Sequence, residues 1–474
     1  MIYFHWLFLA FYILTIVPAM VTVLMDRRQP AKTIAWLMVL LFLPLVGIIL
    51  YFFFGQNTRK ERLVSQRSLD QLTKHSMLEF AGQRNLKIPE DCAALVRQFA
   101  NQSMALPFKD NNVDIYTDGY QFFLNLIRDL GTAQHHIHLE SYIFEDDPLS
   151  NLLADVMIDK ARAGVEVRVI YDDVGSWKVR KRFFDRMRAG GVKVCSFMPV
   201  KFPAFTGKVN YRNHRKICIV DGKVGYIGGM NIALRYLRGS KHQPWRDTHM
   251  RLEGGLVYAL QRSFLIDWYF VERSLITSRI YYLELDPTIN NDCLGQIVTS
   301  SPIQPWPDIM QGYVRILLEA KRYVYIETPY FLPTEPILFA MRTAAVAGID
   351  VRLMIPMHSD AKLVEWASKS YVMEVIEAGV KVFFYNKGFN HSKLLVSDDF
   401  ICSCGSTNVD FRSFENNFEA NAFFYHQEMA LKIKQIFLDD QADSLSIEEV
   451  RNLLHTPFLQ RLWESIIRLL SPLL

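Results

Sequence analysis

Two uninterrupted apolar stretches open the chain, and a regular alternation of helix-like and strand-like segments follows them. Ile2 to Met25 holds no Lys, Arg, Asp or Glu, and neither does Thr33 to Phe54. Each is long enough to cross a hydrocarbon core of about 30 Å as a helix, which predicts a transmembrane helical hairpin over residues 1–55. Met1 to His5 lacks the basic start of a secretory signal, and a second apolar run follows at once, so cleavage is not expected. Pro44, inside the second run, also permits a kinked or re-entrant hairpin. Arg27, Arg28 and Lys32 flank the turn against Arg59, Lys60, Arg62, Arg67 and Lys74 after the second run, a count that points the rest of the chain inward.

Residues 56–106 read as a polar, helix-compatible linker. Beyond it the elements recur in order. Gly119 to Leu130 is helical in pattern and leads into the strand-like His138 to Phe144; Val314 to Ala320 leads likewise into Val324 to Phe331. Ala163-Gly164 ends a helix before Val165 to Ile170, as Ala347-Gly348 does before Ile349 to Met354. The offset drifts only from 187 residues (Glu140 to Glu327) to 177 (His214 to His391), which is duplication. The fold class is therefore α/β, with two tandem repeats, 107–290 and 291–474, each a mixed sheet flanked by helices.

Net charge is only +4, from 53 basic and 49 acidic residues, which lacks the one-signed excess of a nucleic-acid binder. The six cysteines show no metal-type spacing and read as reduced core residues. Candidate chemistry lies in a motif that occurs once per repeat. His214, Lys216 and Asp221 have the form H-x-K-x4-D, followed by Gly228-Gly229-Met230-Asn231. His391, Lys393 and Asp398 repeat it, followed by Gly405-Ser406-Thr407-Asn408. In an extended strand alternate side chains share a face, so each histidine and its lysine project together. Four such groups converging would form a positive pocket for one phosphodiester anion, with Asn231 and Asn408 adding neutral donors. Met230 and Ser406 differ inside the Gly-x-x-Asn segments and hint at unequal half-sites.

Histidine chemistry also needs the second ring nitrogen held by a carboxylate. Asp247 and Glu419, 33 and 28 residues past the two histidines, are the candidates, and the sequence does not say which serves which. Asp221 and Asp398 end their strands and read as turn caps or ion pairs before direct chemistry. His135, His136 and His138 read as surface or edge residues, because no carboxylate or cysteine cluster accompanies them. Glu140 and Glu327, near Tyr142 and Tyr330, either line the pocket or bond within the sheet. No metal or other cofactor is expected.

The paired motifs resemble the signature of the phospholipase D superfamily. That resemblance implies a covalent phosphohistidine, with His214 as nucleophile and His391 as general acid and base. Ala35-Trp36-Leu37 through Leu43-Pro44-Leu45 to Phe54-Gly55 is similar to the start of bacterial cardiolipin synthases, and the order of hairpin, linker and repeats matches too. It implies a multi-pass enzyme of the bacterial cell membrane, with its catalytic part in the cytoplasm, that condenses two phosphatidylglycerol molecules into cardiolipin and glycerol. Hydrolysis to phosphatidic acid is the alternative, and a nuclease is disfavoured by charge and anchor. Phospholipids and the membrane are the expected partners, not nucleic acid; the sequence sets no oligomeric state. Phe458, Leu459, Leu462, Trp463, Ile466, Ile467 and Leu470 fall near helical spacing, giving an amphipathic helix that lies in the membrane interface or packs on the catalytic core. Basic runs at Lys178 to Arg182 and Lys201 to Arg215 either attract anionic headgroups or form a solvated face.

Overall fold

A computed structural model describes residues 2–26, 30–51, 55, 66–82, 86–200, 210–240, 243–282, 284, 286–454, 457–469 and 471–472. Arg27, Arg28, Arg59, Lys60, Arg62, most of the basic run after Lys201, and Leu470 lie outside the described residues. The chain divides into two compact units, one holding residues 1–61 and 200–211 and the other the remainder.

The amino-terminal unit is a helical hairpin, but its second arm is not one span. The helix Ile2–Met25 is followed by Pro30–Phe42 and Pro44–Leu50, separated at Leu43 (φ −130°, ψ 63°). Proline disfavours the α conformation in the residue before it and lacks a donor of its own, so the arm breaks into pieces of 13 and 7 residues. Among the described residues no helix is long and apolar enough to cross a membrane. The second arm, expected as one span or as a kinked hairpin, is thus two short helices. Val23, Leu40 and Tyr51 form a small buried cluster between the arms, and the Tyr51 hydroxyl donates to Asp26 Oδ2 at 2.7 Å.

In the larger unit each repeat builds one mixed sheet, and the two sheets follow the same strand order. The first runs Asn111–Tyr116, His249–Gly254, Val224–Gly228, Ile217–Val220, His136–Ser141, Glu166–Asp172, Lys193–Phe197. The second runs Gly295–Ser300, Asn417–Tyr425, Ile401–Gly405, Leu394–Ser397, Tyr323–Glu327, Asp350–Pro356, Lys381–Tyr385, and adds Ser444–Ser446 at the edge. In both, the central strand pairs parallel on one side and antiparallel on the other, so the mixed character is duplicated as well. Gly164 (φ +94°) and Gly348 (φ +89°) hold equivalent left-handed turns between helix and parallel strand, a conformation that a Cβ disfavours.

Helices bury an apolar stripe on each sheet. Phe122, Leu126 and Leu130 do so in the first repeat; Ile309, Tyr313 and Ile316 do so in the second. Within the stretch read as a linker, the helix Glu90–Ser103 packs Cys92, Leu95, Val96 and Phe99 into the second repeat's core.

Two short parallel pairings stitch the repeats together. Arg212–Asn213 of the first repeat lies beside Asn417–Phe418 of the second, and Trp245–Arg246 of the first lies beside Phe389–Asn390 of the second. Each pair joins the residues just before a motif histidine to those just before a candidate carboxylate of the other repeat.

Candidate active site

The turn that presents each histidine is built the same way twice. His214 N–H donates to the Phe418 carbonyl at 2.9 Å, and His391 N–H to the Arg246 carbonyl at 2.7 Å. The preceding asparagine then folds back: Asn213 Oδ1 accepts from Arg215 N, and Asn390 Oδ1 from Ser392 N, both at 3.0 Å. These side-chain turns release the chain from the inter-repeat pairing into the strands Ile217–Val220 and Leu394–Ser397. Asn213 Nδ2 also reaches Glu140 at 3.3 Å, and Asn390 Nδ2 reaches Glu327 at 3.4 Å. Both glutamates are buried within their sheets. Burial and a neighbouring acid, Asp267 or Asp440, push their carboxyls well above the usual range.

The carboxylates serve the histidines crosswise. His214 Nδ1 lies 2.9 Å from Glu419 Oε1, and His391 Nδ1 lies 2.6 Å from Asp247 Oδ2. Every imidazole is therefore oriented by an acid from the opposite repeat, and Nε2 is the nitrogen left for the cavity. Both histidines line one cavity of about 400 Å³, together with Tyr142, Tyr236, Trp245, Tyr330, Asn231 and Asn408. Beneath the rings, Lys216 Nζ donates to the His214 carbonyl at 2.5 Å and lies 5.4 Å from the Tyr142 ring centre. Lys393 Nζ sits 2.9 Å from His391 Nδ1 and also bonds the His391 carbonyl.

Electrostatics follow from this burial. Desolvation pushes His214 down to about 4, with Glu419 opposing and both lysines reinforcing. It pushes His391 down to about 3, reinforced by Lys393 and opposed by Asp247. Lys216 falls to about 7, again through burial with Glu419 opposing, and burial lowers Lys393 as well. Burial alone would raise the two acids, but Glu419 lies below the usual carboxylate range because His214 and Lys216 outweigh it; Lys393 and His391 do the same for Asp247. Burial thus favours the neutral form of both rings and loosens the proton on Lys216. An incoming anion restores the missing counter-charge and draws protons in. Sulfate, whose own charge is constant over this range, is expected to bind roughly tenfold tighter at pH 6 than at pH 8. Calorimetry in buffers of different ionisation enthalpy checks this; a flat affinity without proton uptake would refute it.

The remaining motif residues separate. Asp221 and Asp398 each sit at positive φ past the far end of the motif strand. Asp221 accepts backbone N–H bonds from Gln134, His135 and His136, and Asp398 from Lys321, Arg322 and Tyr323, all between 2.7 and 3.0 Å. They pin the start of the central strand and are not among the cavity's lining residues. Asp221→Ala is expected to cost ~1–3 kcal/mol in urea unfolding, because three donors lose their acceptor. A cost near zero would show that water replaces the carboxylate freely. Asn231 Nδ2 donates to the Tyr236 hydroxyl at 2.9 Å and Asn408 Nδ2 to Asp410 at 3.0 Å, so each spends one amide hydrogen internally.

The unequal Gly-x-x-Asn interiors have a steric cause. A Cβ at Gly229 would lie 2.1 Å from Asp247 Oδ1, so that carboxylate occupies the space of a side chain. At the matching place the Ser406 hydroxyl instead donates to Glu419 Oε2. Met230 is buried in the first repeat's core.

One expectation is overturned. His136 and His138 are fully buried, neither surface nor edge. Gln261 bridges them, with His136 Nε2 2.9 Å from its Oε1 and its Nε2 2.8 Å from His138 Nδ1; the His138 ring stacks on Phe264 at 4.5 Å. Burial lowers His136 to about 4, and a neutral imidazole pays little for leaving water when its nitrogens are bonded. Among the described residues no group of three or more His, Cys, Asp and Glu side chains is arranged to hold a metal ion.

Cavity residues that the sequence reading passed over are Arg235, Tyr236, Asp360, Asp410 and Arg412. A signal existed for two of them, since Arg235 and Arg412 each stand four residues after their repeat's asparagine.

Comparison with known proteins agrees with the duplicated geometry. The family profile described as "Cardiolipin synthase, PLD-like domain" matches residues 126–243 and 313–441, more than half of the chain. The major cardiolipin synthase ClsA of Bacillus subtilis (strain 168) is 39% identical over 98% of this chain and 98% of that protein. The chain belongs to the cardiolipin synthase family. A cardiolipin synthase of Listeria monocytogenes serotype 4a is likewise 39% identical, with 98% of both chains covered. The family's amino-terminal region is represented by a further profile, "Phospholipase_D-nuclease N-terminal", over residues 6–56. Among solved structures, a phosphatidylserine synthase from Haemophilus influenzae aligns with 80% of this chain and all of that chain at a TM-score of 0.63 and 14% identity, a likeness of fold.

Proposed function

We propose that this member of the cardiolipin synthase family transfers a phosphatidyl group from one phosphatidylglycerol to another, releasing glycerol. The supporting observation is the crosswise pairing of His214 with Glu419 and His391 with Asp247 at one cavity. A carboxylate on Nδ1 fixes the tautomer that leaves a lone pair on Nε2. His391 takes up a proton at Nε2 as the anionic lipid enters; His214 Nε2 then attacks phosphorus, a P–N bond forms, and the P–O bond to the headgroup glycerol breaks as His391 gives that oxygen this proton. His391 then takes the proton of the acceptor's glycerol hydroxyl, whose oxygen displaces His214 from phosphorus. Lys216 and Lys393 face the pentacoordinate oxyanions from below.

Membrane contact belongs to the same reading. The helix Phe458–Arg468 docks through Glu464, Ile467 and Arg468 on the helix Lys362–Glu377, where Arg468 meets Glu374 at 2.7 Å and stacks on Tyr371. It leaves Phe458, Leu459, Leu462 and Ile466 exposed. The supporting helix begins beside Asp360, Ala361 and Val364 of the cavity wall. A bilayer containing phosphatidylglycerol is the proposed occupant of the exposed apolar face. Leu459→Glu with Leu462→Glu is expected to lower the ratio of the rate on vesicles to the rate on monomeric short-chain phosphatidylglycerol roughly tenfold. An unchanged ratio would remove this helix from the membrane surface.

The deciding experiment is product analysis. Purified protein and labelled phosphatidylglycerol vesicles should yield cardiolipin and free glycerol on thin-layer plates; phosphatidic acid as the sole product would establish hydrolysis instead.

A further inference from the structure

We infer that Arg235 forms a second phosphate subsite, which holds the non-reacting phosphodiester of the acceptor lipid while its glycerol hydroxyl attacks at His391. The inference rests on the transferase reading above and names the residue that selects a lipid acceptor over a small alcohol or water.

The acceptor in such a reaction is itself an anion. Its phosphate stands one glycerol bridge from the hydroxyl that attacks, so two phosphodiesters must meet inside one partly desolvated cavity. Their repulsion is strong there unless a cation sits beyond the reaction centre. Lys216 and Lys393 do not fill that place, because both are buried beneath the histidines and bonded to the histidine carbonyls. Among the described residues, the cations on the cavity wall are Arg235 and Arg412.

Position distinguishes the two. The Arg235 guanidinium lies 5.0 Å over the Trp245 ring, and Trp245 lies 5.4 Å from the His391 ring. Arg412 acts on Tyr142, whose ring meets His214 edge-on at 4.9 Å. Arg235 therefore belongs to the half-site of the general base, where an entering alcohol must lose its proton. Arg412 belongs to the half-site of the nucleophile.

The guanidinium is held yet able to take a ligand. Glu145 binds it from one side, but that carboxylate is 39% exposed and the pair is screened by water. The ring of Trp245 fixes its plane, which suits the two-pronged hydrogen bonding that a phosphodiester accepts. Asp360, also a lining residue, feels this charge, and its carboxyl is itself raised by burial and takes a hydrogen bond from the Tyr330 hydroxyl at 2.8 Å.

The test is a competition between acceptors for one phosphatidyl-enzyme. Labelled phosphatidylglycerol vesicles are incubated with the full chain and excess deuterated glycerol, and the ratio of cardiolipin to deuterated phosphatidylglycerol is measured. Arg235→Gln is expected to lower this ratio tenfold or more, and Arg235→Lys, which keeps the charge but not the planar fork, to recover only part of it. A packing role alone would slow both products together and leave the ratio unchanged, which would overturn the inference. Should Arg235→Gln not fold, Glu145→Gln serves instead: freeing the guanidinium is expected to raise the ratio, and a fall would overturn the inference. Failure of the underlying reading is seen separately, as wild-type protein that exchanges glycerol or releases phosphatidic acid but makes no cardiolipin.

Discussion

Replacing either motif histidine by alanine is expected to lower cardiolipin formation by about 10³-fold or more, and the two variants should stop at different points. Without His214 there is no nucleophile, so neither product nor covalent intermediate forms. Without His391 the nucleophile and its Glu419 partner remain, but the departing glycerol oxygen has no proton donor. A donor lipid whose leaving group needs no proton, such as a nitrophenyl ester of phosphatidic acid, should then phosphorylate His214 in His391→Ala and leave the intermediate trapped. Protein quenched in neutral denaturant and analysed by mass should carry a phosphatidyl group on His214 in that variant and none in His214→Ala. Both rings lie at the cavity and not in an apolar core cluster, so melting temperatures should stay near wild type. A label on His391 instead would reverse the assigned roles, and substantial turnover by a well-folded single variant would remove the shared site altogether.

The duplication and the motif histidines were legible because they rest on short-range patterns: alternation in strands, Ala-Gly at helix ends, and a triplet spacing that occurs twice. The crosswise pairing was not. It depends on two-residue strands, Arg212–Asn213 and Trp245–Arg246, too short to carry a periodic signature, and on partners about 200 and 140 residues away. His136 and His138 misled for a related reason. A histidine run resembles surface composition, and what buries it is Gln261 and Phe264 from a helix more than 120 residues downstream. In the supposed linker the signal was present but diluted, since Cys92, Leu95, Val96 and Phe99 have helical spacing among polar neighbours. Pro44 permits a kink on sequence grounds; that it divides the second arm into two short helices follows from the conformation of Leu43, which sequence alone leaves open.

Glu419→Gln is expected to cost about 10³-fold in rate, through two separable effects. An amide at this position can offer its N–H₂ to Nδ1 of His214, which moves the ring proton to Nε2 and removes the attacking lone pair. The same change withdraws the charge that most opposes the desolvation of Lys216. Its value, already down to about 7, must fall further, so the lysine stays cationic only at lower pH and the residual activity should shift to the acid side. Asp247→Asn acts on His391 and Lys393 instead. Rapid-quench kinetics distinguish the pairs: Glu419→Gln should slow formation of the phosphatidyl-enzyme even with the nitrophenyl donor, whereas Asp247→Asn should spare that step and slow attack by the acceptor. Coupling should follow the crosswise contacts, with Glu419→Gln adding almost nothing to His214→Ala. If Glu419→Gln instead proved silent on the first step and coupled to His391, the acid would serve its own repeat, and the proposed division of labour between the half-sites would have to be abandoned.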